Sequence, residues 1–130
     1  MYKRQPEEFG SDYRFLHPDI IPKLNKFREL WGHPVLISRA QGAVTRHDDS
    51  NSYHNVNKHG YTLAVDVFPN NLNKSNAREA VALAQKAGFG GIGVYTDTKP
   101  SMMMHLDVRD YMARWSRIKG IYKSIQEAYV

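Results

Sequence analysis

Apolar residues recur in this chain at two periods. Ile20, Leu24, Phe27 and Trp31 are spaced by three and four, which lines one face of an α-helix. Pro18 suits the first turn of that helix, and Gly32 and Pro34 end it. Pro34-Val35-Leu36-Ile37-Ser38 follows as a short buried strand. Residues 39–60 mix Gly, Asn, Asp, Ser and His with little periodicity, a long loop of the kind that carries function in compact domains. Leu63–Phe68 reads as a strand closed by Pro69-Asn70-Asn71. Asn76 followed by Glu79 resembles a capping box, and Ala77, Ala80, Val81 and Ala84 mark a helix ending at Gly88. Residues 90–95 form a glycine-rich strand, residues 96–100 a turn, and residues 102–108 a third main strand. Ile118, Ile121, Tyr122, Ile125 and Tyr129 predict a C-terminal helix, and residues 1–15 an irregular arm.

The order helix, strand, loop, strand, helix, strand, strand, helix, with strands close together late in the chain, predicts an α+β fold: a small antiparallel sheet flanked by helices. At 130 residues and 42% hydrophobic, the chain is one domain, 1–130, able to bury a core. The polar start, Met1–Glu8, is not followed by an apolar stretch, so no secretory signal is expected. No apolar run reaches the roughly 20 residues needed to span a bilayer. The formal charge of +5 suits an anionic partner, but the 18 Lys and Arg are scattered, which argues against a nucleic-acid surface.

Two polar residues break the apolar strands. Asp66 stands in Leu63–Phe68, and a buried carboxylate is costly unless paired or bound to a metal. His105 follows three methionines, with Asp107 two residues on; on a strand, both point to the same face. With no cysteine in the chain, any metal must be held by His, Asp or Glu. Two histidines and a carboxylate around one point, with a spare carboxylate, are the parts of a catalytic zinc site. His54 and His59 are both placed to supply the second imidazole. His47 is a further loop candidate, while His17 and His33 flank a helix and read as surface residues. The run Gly88–Gly93 lacks a following Lys-Ser/Thr and the dinucleotide-binding spacing, so it reads as a turn feeding a strand.

Ser52-x-His54, Gly60, Ala64 and Asp66, then His105-x-Asp107, resemble peptidase family M15. Its members are zinc D-alanyl-D-alanine carboxypeptidases, dipeptidases and phage endolysins, related in fold to the hedgehog signalling domain. Gly91-Ile92-Gly93-Val94-Tyr95, His105-Leu106-Asp107 and Arg114-Trp115 are similar to its compact bacterial and phage branch. The resemblance spans about residues 34–116. It implies a hedgehog/DD-peptidase-like fold and a zinc peptidase acting on peptidoglycan stem peptides, encoded by a phage or prophage. Such a protein would sit in the host cytoplasm before release or in the virion, where other virion proteins are possible partners. His54, Asp66 and His105 would hold Zn2+. His54 keeps the Ser-x-His unit, whereas His59 keeps the family's seven-residue step to Asp66. The resemblance also implies a substrate-binding Arg, with Arg39 or Arg46 the nearest match. Many members carry an acidic residue where Met102 stands here, which leaves Asp107, or Asp97 in the preceding turn, as the general base. The same departure makes a non-catalytic virion or tail component the alternative.

Overall fold

The computed structural model describes residues 6–40, 42–47 and 50–130. Helix α1 (Ile20–Trp31) turns Ile20, Leu24, Phe27 and Trp31 inward and ends where the Gly32 N–H, at φ 81°, donates to the Arg28 carbonyl. Strand β1 (Val35–Ile37) follows, and the loop after it contains one helical turn, α2 (Val56–His59). Then come β2 (Ala64–Pro69), α3 (Ala77–Ala87), β3 (Gly91–Tyr95), β4 (Met103–Asp107), β5 (Ala113–Ile118) and β6 (Ile121–Lys123). Short 3-10 stretches cover Pro6–Phe15, kinked at Gly10, and Ile125–Tyr129.

The six strands form one sheet in the order β1-β2-β4-β3-β5-β6. The fold is α+β, as expected, but the sheet is mixed: β3 and β5 run parallel, and every other neighbouring pair is antiparallel. The expected C-terminal helix is replaced by β5, β6 and a 3-10 turn. Lys119 and Gly120, at φ 51° and 79°, make a two-residue reversal of the kind that matches the twist of paired strands. Part of the expected irregular arm, Pro6–Phe15, is 3-10 helical, and residues 1–5 lie outside the described residues. The capping box at α3 is not formed. The Asn76 side chain instead accepts from the Asn73 N–H and donates to the Asn71 carbonyl.

The register gives the sheet two unlike faces. Val65 and Val67 of β2, Met104 and Leu106 of β4, and Ile92 and Val94 of β3 share one face, and all are at most 0% exposed. That face joins the inward residues of α1 and α3 in one apolar cluster, closed by Ile125 and Ala128. Aligned partners on the other face are Asp66 with His105, Gly93 with His105, and Gly93 with Trp115. Polar and aromatic groups therefore collect opposite the core.

Glycine at Gly93 is a spatial requirement. A Cβ there would lie 2.5 Å from the Trp115 indole, so the ring can lie across β3 towards His105 only because position 93 has no side chain. A Cβ at Gly91 would strike the Asp107 carboxylate in the same way. Gly93→Ala is expected to lower unfolding stability by about 1–3 kcal/mol, the usual cost of overpacking. Urea melts should show this together with an altered Trp115 environment in near-UV circular dichroism.

Candidate metal centre

Backbone pairing brings His54 to the sheet. The Arg46 N–H donates to the His54 carbonyl and the Val56 N–H to the Arg46 carbonyl, each at 2.9 Å, so two parts of the loop form a bridge beside the sheet. The Ser52 hydroxyl accepts the His54 N–H at 3.1 Å, which gives the Ser-x-His unit a local structural role. His54 is then 1% exposed, and its Nδ1 lies 2.9 Å from the Val44 carbonyl. A carbonyl can only accept, so Nδ1 carries the proton and Nε2 presents a lone pair. That Nε2 lies 3.3 Å from Asp66 Oδ1.

His105 repeats the arrangement from the strand side. Its Nε2 donates to Asp107 Oδ2 at 2.8 Å, leaving Nδ1 to face the same Asp66 Oδ1 at 3.3 Å. The two imidazoles stand edge to face, 5.0 Å apart. Three potential ligand atoms, His54 Nε2, Asp66 Oδ1 and His105 Nδ1, thus lie within 4.8 Å of one another on three buried residues. His54 Nε2 and Asp66 Oδ1 are buried without a hydrogen-bond partner. Buried polar atoms are rarely left so. Zinc bonds of about 2.0–2.1 Å in a tetrahedron put ligand atoms about 3.3 Å apart. The donor set, the 3.3 Å distance from Asp66 Oδ1 to each nitrogen and the orphaned atoms fit a metal ion.

Electrostatics follow the same geometry. Burial pushes the Asp66 carboxyl up, but His105 and His54 beside it outweigh burial and hold it well below the usual carboxylate range. Burial pushes the His105 imidazole down, and Asp107 and Asp66 together raise it above its ordinary value. Asp107, fully buried, lies behind His105. Burial raises its carboxyl, while His105 and Arg109 more than reverse that. Arg109 grips both Asp107 oxygens, Nε to Oδ1 at 2.8 Å and a terminal nitrogen to Oδ2 at 2.7 Å.

The three residues stand in the wall of an open cavity of about 770 Å³. Arg46, Tyr53, Arg109, Trp115, Arg117 and Tyr122 are also in its wall. Tyr95 lines it too, and burial pushes its phenol up to about 12, so it is neutral and accepts the Trp115 indole N–H at 3.1 Å. Arg46 donates its Nε to the Gly42 carbonyl and has no carboxylate partner among the described residues.

The other sequence candidates lie elsewhere. His59 stacks on Tyr53 and bonds the Ser52 carbonyl through Nε2, so it does not join Asp66 and His105. Arg39 is exposed and outside the cavity wall. His47 is exposed and edge-on to Phe15, and His17 and His33 lie against Tyr61 and Trp31. Asp97 faces away, accepting from Arg117 Nε and the Gly120 N–H. Asp107 does not line the cavity, since both its oxygens are turned to His105 and Arg109. Arg109 was missed in the sequence, although it continues the alternation His105, Asp107, Arg109.

Comparison with protein-family models, curated proteins and solved structures finds no match. Among the described residues, no helix is long and apolar enough to cross a membrane.

Purified protein is expected to bind about one zinc per chain, with ligand distances near 2.0–2.2 Å by X-ray absorption. His54→Ala and His105→Ala should lose the metal in elemental analysis, while His59→Ala keeps it. Full occupancy in the first two variants would place the metal elsewhere.

Proposed function

We propose that this chain is a zinc-dependent peptidase of the M15 type, phage- or prophage-encoded, that cleaves peptidoglycan stem peptides as a carboxypeptidase or endopeptidase. The observation that carries the reading is the convergence of two imidazole nitrogens on one carboxylate oxygen, each 3.3 Å from it and all three within 4.8 Å of one another, in the wall of an open cavity. The motif order from Ser52 to Trp115 supports it independently. His54, Asp66 and His105 would hold the ion. When bound, zinc is a Lewis acid towards a peptide carbonyl and lowers the pKa of water towards about 7.

The chain's own residues divide the remaining work. Arg46, fixed at the loop bridge next to His54, offers a guanidinium to a substrate carboxylate or to a carbonyl oxygen gaining charge. It suits the substrate-binding role better than Arg39, which is outside the wall. Trp115 and Tyr95 form an aromatic wall that keeps solvent from the sheet side of His105. Asp107 holds the His105 ring and its tautomer, so it is a positioning residue and not the proton acceptor.

One observation favours a second reading, a non-catalytic virion or tail component that keeps the fold. Among the described residues of the cavity wall, the only carboxylate is the ligand Asp66. Asp97 and Asp107 are both committed to arginines.

Incubation with purified peptidoglycan separates the two. A peptidase should release new amino termini or free D-alanine, stop with chelator, and recover with zinc. Arg46→Ala is then expected to lower kcat/KM by about 10–100-fold, the worth of a lost charge-assisted hydrogen bond. A chain that binds zinc tightly and cleaves neither peptidoglycan nor D-alanine-containing peptides overturns the peptidase reading and makes the structural component the better one.

A further inference from the structure

His54 comes from a loop, whereas Asp66 and His105 come from adjacent strands. A site split in this way is only as well defined as the joint between loop and sheet. Arg109 occupies that joint. Its guanidinium fork holds both oxygens of Asp107, whose Oδ2 in turn accepts from His105 Nε2. The same guanidinium lies 4.1 Å from the centre of the Tyr53 ring, and Tyr53 is the neighbour of His54 in the chain. Tyr111 and Trp115 flank it at 5.3 and 5.4 Å. The Tyr53 and Tyr111 hydroxyls meet at 3.1 Å and close the assembly on the solvent side.

We infer that Arg109 is a positioning residue that clasps the His54 loop to the His105 strand and so fixes the ligand set. The N–H edge of the guanidinium sets the strand ligand through Asp107, and its contact with the Tyr53 ring sets the loop ligand. Only a planar, delocalised cation can do both at once: lysine offers neither the two-pronged grip nor the flat stacking surface. The aromatic contact is electrostatic as well as apolar, because the cation faces the electron-rich ring. The inference rests on the reading of His54, Asp66 and His105 as metal ligands.

The test is zinc affinity, measured by competition with a chromophoric chelator on folded protein, with the visible spectrum of the cobalt-substituted chain as a readout of ligand geometry. Arg109→Met is expected to weaken zinc binding by about 10–100-fold, the usual effect of removing support behind a ligand. Tyr53→Leu should weaken it by about 3–30-fold, a cation–π contact's worth, while Tyr53→Phe, which keeps the ring, stays within about twofold of the wild type. Because Arg109→Met strips the buried Asp107 of its cation, Tyr53→Leu provides an arm that leaves the Asp107 pair intact. Arg109→Met/Tyr53→Leu should bind no more weakly than Arg109→Met alone, since both changes break one clasp. Shifted cobalt bands in Arg109→Met and Tyr53→Leu complete the expected result. Additive losses, or a lowered melting temperature with zinc affinity and cobalt bands unchanged, would reduce Arg109 to a structural ion pair and overturn the inference alone. A wild-type chain that binds neither metal overturns the metal reading and the clasp with it.

Discussion

Asp66 Oδ1 faces a ring nitrogen of His54 and a ring nitrogen of His105, each at 3.3 Å, in a buried setting. Electron-rich atoms held so close in a buried setting repel one another unless a positive charge sits among them. Burial lowers the His105 imidazole's affinity for a proton, and Asp107 first, with Asp66 beside it, more than reverses this. The surrounding polar structure follows from this concentration of negative potential. Val44 fixes one tautomer, Asp107 fixes the other, and Arg109 neutralises the carboxylate that Asp107 brings into the interior.

The sheet makes such a grouping tolerable by separating it from the core. Alternation sends Val65, Val67, Met104 and Leu106 to the helices and sends Asp66, His105 and Asp107 to the opposite side. A polar cluster therefore stands one backbone layer away from the apolar cluster without interrupting it. Gly91 and Gly93 extend the arrangement to β3, where missing side chains leave room for the Asp107 carboxylate and the Trp115 ring. The glycine-rich strand is thus a shallow trough in the polar face.

Much of this could be read from the chain. The helices α1 and α3 and the strands β1 to β4 follow from local periodicity, and their ends differ from the expected ones by a residue or two. Asp66 and His105 were visible as polar residues in apolar runs, and the register makes them direct cross-strand partners. The C-terminal region misled because Ile118, Ile121, Tyr122 and Ile125 have helical spacing but belong to three different elements. Of these, Ile121 and Tyr122 are exposed, so their spacing reflects no common buried face. The parallel pairing of β3 with β5 is a long-range choice that no local pattern encodes. Spacing and periodicity alone do not separate His54 from His59, and only the Ser-x-His unit favours His54, because their difference lies in the loop's bridge to Arg46, a contact between segments that share no periodicity.

The sheet also ends in a particular way. Its outermost strands, β1 and β6, have three residues each, whereas the four strands between them have five or six. An edge strand offers unpaired N–H and C=O groups to any extended segment that arrives, and a long flat edge invites association between copies. Three residues give such a segment little to register against. Pro34, without an N–H, stands immediately before β1, and β6 ends on the charged Lys123. A mixed sheet that must expose Leu36 on one margin and Ile121 and Tyr122 on the other is thereby guarded against growing into a shared sheet. The brevity of its margins is a form of resistance to aggregation.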